Sequence, residues 1–425
     1  MKEWFPLNGL THTDFNKLLL LPDNFNIRGH ERTLQQVLDT NKIVKRLIDL
    51  EIAIQPILKN LEEKGLLISE DWFNEGVKDK KMRLVEATKE LNKIIGLKSE
   101  FYNDVPIREY WQLKQLPVAY SLEHLNNYKN LDRSFKLVLE IKNIQSYLTQ
   151  WEIKLLKEGV HREQGIQIYG SWTSYSSFTG RVSAKKLALT SLPKKLRNYI
   201  RAPEGYRIIS LDLNAAELRF MAYFSECETM LDVLNSGQDL HTEIAKIIQR
   251  IIFPNTKVNE KLYRDLAKTY IFSFLYGAGN RTIANNLRAI SSDITTADVK
   301  NLEQAFDHRY PKINQFLQYL ESSEYLYTPL GKLKPTAEFK RNQKRNFLFQ
   351  ASVAYAVKHL LLIASRYYEV IHIQHDEIWL LAPSRAPTAA TIEEITYLFN
   401  NKLQELFTGF PVNNLLTLNS IGGLQ

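Results

Sequence analysis

Two short β-rich segments, set in a chain that otherwise carries helical periodicity, limit the fold most. The first, Tyr206-Arg-Ile-Ile-Ser-Leu211, is a strand candidate that ends at Asp212. The second divides into Val370–Gln374 and Ile378–Leu381, joined by a tight His375-Asp376-Glu377 turn. Elsewhere apolar residues recur every three or four positions. From Asn41 to Lys64, Ile43, Leu47, Leu50, Ile54, Ile57, Leu58 and Leu61 follow a helical repeat, and Gly65 stands where a C-cap belongs. Val77 to Ile95 is a second amphipathic stretch. Asp132 to Lys157 is a third, with Leu137, Ile141, Ile144, Leu148, Trp151 and Leu155 forming a coiled-coil-like seam for helix-on-helix packing. Ile166 to Ile168 alternates like a strand, and Gly170 to Thr179 reads as loop. Asn214 to about Ser322 is mostly helical, broken near Pro254 and Pro311. Helices, strand, helices and hairpin, in that order, give an α+β fold.

The 425 residues suffice for two to four units with a real core. A hydrophobic share of 44% and a charged share of 24% exclude a disordered chain. Cys227 is the sole cysteine, which excludes an internal disulfide and fits a reducing compartment. The start MKEWFPLNGL lacks the pattern of a signal peptide. No uninterrupted apolar run of about 18 residues occurs, so no membrane span and no membrane partner is expected.

Net charge is +8, and its distribution is informative. Arg181, Lys185, Lys186, Lys194, Lys195, Arg197, Arg201 and Arg207 face only Glu204 in their window. Lys332, Lys334, Lys340, Arg341, Lys344 and Arg345 face only Glu338. Such runs are commonly solvated surface. Flanking two acidic strand ends, they fit a channel for a phosphate backbone.

An Asp at a strand end is, taken alone, more often a turn residue than a catalyst. Between Asp212 and Asp376, however, lies a segment with Arg264, Lys268, Phe272 and Tyr276 each four residues apart. Helical spacing places them on one face, two cations followed by two aromatic rings. That face suits a triphosphate and a stacked nucleobase. Two carboxylates held close repel unless cations lie between them, and Mg²⁺ fills that role in phosphoryl transfer.

These residues resemble the family A DNA polymerases. SLDLNAAELRFMAYFS (Ser210–Ser225) is similar to the family's first catalytic motif. RDLAKTYIFSFLYG (Arg264–Gly277) resembles its fingers-helix motif R-x-x-x-K-x-x-x-F-G-x-x-Y-G, and QHDE (Gln374–Glu377) its final motif. TGRVS (Thr179–Ser183), DLHTEIA (Asp239–Ala245), TPLGK (Thr328–Lys332) and NFLFQ (Asn346–Gln350) follow in the expected order. IAIQPILKNLEEKGLLI (Ile52–Ile68) resembles the entry to the thumb.

The resemblance implies a right-hand polymerase fold with a helical thumb, a small antiparallel β palm and helical fingers. Its parts would be an N-terminal extension at 1–40, thumb and entry helix at 41–165, palm at 166–238, fingers at 239–335 and the second part of the palm at 336–425. It also implies roles. Asp212 and Asp376, with the Leu213 carbonyl, would bind two Mg²⁺ ions (Mn²⁺ as a substitute), with Glu377 peripheral. Arg264, Lys268 and His241 would bind the triphosphate, and Lys268 would also stabilise or protonate the leaving group. Phe272 would pack on the nucleotide, Tyr276 would occupy the template-base position, and Glu217 would exclude a ribose 2′-OH. Arg181, Asn346 and Gln350 would contact the minor groove of the nascent duplex, and His375 the primer terminus.

Departures accompany the match. Ser273 replaces a preferred Gly, Asn214 and Ala215 replace Ser-Gln, and SIGGLQ lacks a tryptophan often found near the family's end. About 45 residues precede the thumb-like helix, too few for the 3′→5′ exonuclease domain of many relatives, and they carry no D-x-E signature. The expectation is a monomeric cytoplasmic DNA polymerase without proofreading. Its partners would be primer-template DNA, dNTPs, and replication or repair accessory proteins. The alternatives are a single-subunit RNA polymerase, which lacks a gate at the position of Glu217, and a DNA-binding relative without catalysis.

Overall fold

The computed structural model describes residues 42–174, 177–185, 187–254, 259–327, 333–335, 339–385 and 388–422. The N-terminal extension at 1–40 and the TPLGK landmark lie outside these residues.

The first helix, Lys42–Lys64, buries Ile48, Glu51, Ile54, Leu58 and Leu61 on one face. Gly65 ends it with φ +62°, donating to the Leu61 carbonyl at 3.1 Å. A Cβ at Gly65 would collide with the Ile168 carbonyl, so the left-handed backbone and the close approach both select glycine. The chain then enters β1 (Leu66–Ser69), which lies in an antiparallel sheet with β2 (Val160–Arg162), β3 (Gly165–Ile168) and β6 (Ile200–Arg201), in the order β2-β3-β1-β6. The stretch expected to be loop contains β4 (Ser171–Thr173), paired with β5 (Ser183–Lys185). Its Ser and Thr residues give no apolar alternation, yet Trp172 is buried there and anchors the ribbon.

The expected seam at 132–157 is one helical rod with an interruption. Arg133–Tyr147 is α-helical, Leu148–Ile153 winds as a π-helix, and Lys154–Glu158 returns to α. All six seam residues are buried, but they serve two cores. Leu137 and Ile141 pack with Ala87, Leu91, Trp111 and Phe135, whereas Ile144, Leu148, Trp151 and Leu155 join the main core. Alternating spacing thus marks a rod shared by two cores here, where the sequence suggested a single coiled-coil seam.

The second sheet positions the acids. Its order is β10 (Glu369–Gln374), β11 (Glu377–Pro383), β7 (Tyr206–Leu213) and β12 (Leu416–Ile421), all antiparallel. In central β7, Ile208, Ile209, Ser210 and Leu211 are all buried, so both faces of this sheet are covered. β7 continues past Leu211 through Asp212 to Leu213, because β12 and β11 flank it on both sides. Glu377, read as part of the turn, is the first residue of β11 and pairs with Gln374. Arg341–Ala364, packed in the core, is long and apolar enough by composition to cross a membrane, but most of its apolar window is buried inside the protein.

Beyond β7, helices Leu240–Ile252, Glu260–Leu275, Asn280–Arg288, Thr296–Arg309 and Pro311–Ser322 follow in succession, and the ribbon of β8 (Tyr325–Tyr327) and β9 (Leu333–Pro335) comes after them. Pro311 stands at the start of the last helix, where its missing N–H costs nothing.

Candidate functional site

The β10–β11 turn consists of His375 and Asp376. His375 takes φ +57°, an uncommon conformation for a residue with a Cβ, and thereby turns the chain tightly enough to leave Asp376 beside the end of β7. The Leu213 amide donates to the Asp376 carbonyl at 3.2 Å, and Glu377 sits directly opposite Asp212 in the ladder. Three carboxylates therefore crowd one sheet end. Burial, then Asp376 and Glu377, push Asp212 up to about 7. Burial also raises Asp376. Glu377 is offset by Arg197, whose Nη1 lies 2.9 Å from Oε2 while its guanidinium lies 5.3 Å over the Trp379 ring.

Such a crowded pair suits a cation. Among the described residues no three His, Cys, Asp or Glu side chains converge as a ready-made cage. Two carboxylates and a neighbouring carbonyl fit a hard ion that keeps waters and completes its shell with substrate phosphates, as Mg²⁺ does.

The pair opens into a cleft of ≈ 810 Å³ whose opposite wall is the Glu260–Leu275 helix. Asn259 caps this helix by accepting from the Leu262 amide at 3.0 Å. Its core face buries Tyr263, Leu266, Ala267, Tyr270, Ile271 and Phe274. This leaves Arg264, Lys268, Phe272 and Tyr276 in the cleft, on the face expected from their spacing. Arg264 Nε pairs with Asp239 at 2.7 Å. Among the described residues Lys268 has no carboxylate in salt-bridge range, so its charge remains available to the cleft. His241 is buried with Nδ1 unpartnered, and burial, aided by Lys268 and Arg264 against Asp239, drives it down to about 4. It is neutral at physiological pH. Its ring centroid lies 6.1 Å from Phe272, and Phe272 lies 6.2 Å from Tyr276.

Glu217, on the Ala216–Phe224 helix that follows Asp212, is buried and accepts two bonds. One comes from Arg181 at 2.6 Å and the other from the Tyr276 hydroxyl at 2.9 Å. Burial raises its pKa despite Arg181. Gln350 also hydrogen-bonds Tyr276.

Asp212, Leu213, Asp376, Glu217, His241, Arg181 and His375 all line the main cleft with the four helix residues. Three expected residues do not. Glu377 faces a second cleft of ≈ 410 Å³ with Lys194, Arg197 and Asn198, and Asp212, His375 and Asp376 line both clefts. Gln350 reaches the main cleft through Tyr276. Asn346 stands one turn earlier on the same helix, its Oδ1 buried and unpartnered.

Asp239, Arg219 and Asn414 also line the main cleft, though no spacing in the sequence marks them for it. Arg197 was visible only as one charge in a basic run. Ser273, the departure from glycine, accepts a 3.1 Å bond from Asn286 on the next helix.

The DNA polymerase family A model matches residues 75–387. A DNA polymerase I of Helicobacter pylori is 22% identical over 390 residues, covering 84% of this chain and 42% of the relative. The DNA polymerase of Mycobacterium phage D29 is 25% identical over 224 residues, 51% of this chain and 35% of that protein. The chain thus spans less than half the length of these curated relatives. Among solved structures, the POL domain of Pol1 from M. smegmatis, in complex with DNA primer-template and dNTP, superposes with a TM-score of 0.74 at 15% identity. That match covers 92% of this chain and 72% of the other, and shows a shared fold. With the family model spanning most of the sequence, this chain belongs to DNA polymerase family A.

Proposed function

We propose that this chain is a template-directed DNA polymerase that extends a primer 3′-OH with dNTPs. One observation carries the reading: a single cleft holds the Asp212–Asp376 pair, the Arg264–Tyr276 face and the buried Glu217. In this reading the thumb is 41–165, the palm 166–238 and 336–425, and the fingers 239–335.

Asp212 and Asp376, with the Leu213 carbonyl, would hold two Mg²⁺ ions, with Glu377 peripheral and neutralised by Arg197. When bound, Mg²⁺ supplies activation of the primer hydroxyl and charge stabilisation of the departing pyrophosphate; Mn²⁺ would serve in its place. Arg264 and Lys268 bind the triphosphate, and neutral His241 donates to it without adding charge. Lys268 stabilises the negative charge that develops on the leaving group. Phe272 packs against the nucleotide, and Tyr276 holds the template-base position. Glu217 fills the space of a 2′-OH. Arg181, Asn346 and Gln350 read minor-groove acceptors shared by all correct pairs. The second cleft, which shares Asp212, His375 and Asp376, suits the primer terminus. The partners are primer-template DNA and dNTPs, met in the cytoplasm.

Primer extension on a defined DNA template, with dNTPs or rNTPs and a replaceable divalent metal, tests this. Metal-dependent extension with dNTPs is expected. Extension with rNTPs alone would point instead to an RNA polymerase, and DNA binding without extension to a non-catalytic relative.

A further inference from the structure

Three segments, 214–219, 235–239 and 411–415, meet at the main cleft, joined by one arginine and three asparagines. Arg219 is buried, and burial alone lowers the pKa of its guanidinium; among the described residues no carboxylate pairs with it. Its donors go to backbone carbonyls: Nε to Asn214 at 2.8 Å, Nη1 to Pro411 at 2.8 Å, and Nη2 to Asn413 at 2.9 Å and Asn414 at 3.3 Å. A buried cation is costly unless its donors are satisfied, and the five-donor fork suits gathering several carbonyl ends. Asn214 adds a 2.9 Å bond from Nδ2 to the Asn414 carbonyl, and its amide donates to the Leu415 carbonyl at 2.7 Å.

From this anchor the asparagines reach across to a third segment. Asn413 Nδ2 donates to the Asn235 carbonyl, and Asn414 Nδ2 to the Gly237 carbonyl at 3.0 Å. Gly237 has φ +74°, and a Cβ there would stand 2.9 Å from Asn414 Nδ2. Two residues later Asp239 holds Arg264 at 2.7 Å. A continuous path therefore runs from the turn after Asp212, through Arg219 and Asn414, to the first cation of the helix face.

We propose that Asn414, fixed by Arg219, is a positioning residue that sets the spacing between Asp212 and the Asp239–Arg264 pair, and so governs affinity for the incoming nucleoside triphosphate. This rests on the polymerase reading of the site. Asn414 is exposed and has φ +51°, so Asn414→Gly keeps the backbone conformation while deleting the amide. Asn414→Asp keeps the shape but cannot donate, and Gly237→Ala crowds the same contact from the other side.

The test is steady-state extension by the full chain of parent and variants, with amide hydrogen exchange across 235–241. All three variants should raise the dNTP KM about three- to tenfold, the effect of one lost hydrogen bond. The kcat should hold within about twofold, with primer-template affinity unchanged and exchange at 235–241 faster. An active parent with an unchanged KM in Asn414→Gly, or a fall confined to kcat, overturns the inference and leaves the polymerase reading intact. A parent that extends no primer overturns that reading and this inference with it.

Discussion

The Tyr276 hydroxyl donates a 2.9 Å hydrogen bond to Glu217, tying the end of the helix face to the carboxylate that follows Asp212. Arg181 binds the same carboxylate at 2.6 Å from the other side. Glu217 is thus held in one rotamer by two donors, as a steric gate requires. Glu217→Ala should raise ribonucleotide incorporation by about one to two orders of magnitude, since a shape-based site rejects a hydroxyl only to that extent. Tyr276→Phe, which removes one of the two donors, should raise it less. Competitive rNTP/dNTP incorporation measures both, and unchanged sugar selectivity in Glu217→Ala removes the gate assignment.

The Asp212 carboxyl, raised to about 7, contributes stability to the metal-free protein that is lost as pH rises, opposite in sense to the buried His241, His359 and His372, whose pKa values burial lowers. Unfolded, an Asp titrates near ~3.9. Across the interval from there to about 7 the folded-state Asp212 binds the extra proton, so its contribution to stability falls as pH rises through it. In thermal denaturation with a chelator, the Tm of Asp212→Asn minus that of the parent should be larger at pH 8 than at pH 5.5. Mg²⁺ should raise the parent's Tm more at pH 8 than at pH 5.5. A difference between Asp212→Asn and the parent that is the same at both pH values would place the proton elsewhere.

Phe272 lies between His241 and Tyr276 and offers the cleft no hydroxyl. The parent should discriminate against dideoxynucleotides, and Phe272→Tyr should relax this by about a hundredfold or more, since its new hydroxyl replaces the missing 3′-OH as a polar partner. Equal terminator use before and after the change contradicts the placement of the sugar against this ring.

Lys358 and Glu51 form a fully buried ion pair between the Arg341–Ala364 and Lys42–Lys64 helices, and Lys358 also donates to the Ser174 carbonyl at 2.9 Å. Lys358→Met strands a buried carboxylate and should cost about 3–5 kcal/mol in denaturant unfolding. The double change Glu51→Leu, Lys358→Met should recover most of that loss. A double variant as unstable as the single one would mean that the pair itself, and not an orphaned charge, sustains the packing.

How far these features were legible varies with their physics. The Arg264–Tyr276 face was readable because helical periodicity is local. The hairpin was readable because its strands are adjacent in sequence. That Glu377 stands opposite Asp212 was not, since the register between strands more than 150 residues apart is set by tertiary packing. The π-helical winding at 148–153 left no mark on the apolar spacing. β4 was missed because its Ser and Thr gave no alternation, and β12 because its pairing to β7 is long-range. Arg219 and the asparagines were invisible as a set because their partners are backbone carbonyls, which every residue offers.

The proposed function turns on Asp212 and Asp376 acting as the catalytic pair. Primer extension by Asp376→Asn, measured beside its primer-template affinity, tests it most directly. Extension should fall by at least about a hundredfold, the loss typical of a deleted electrostatic group, while DNA binding is retained. Extension equal to that of the parent would contradict it.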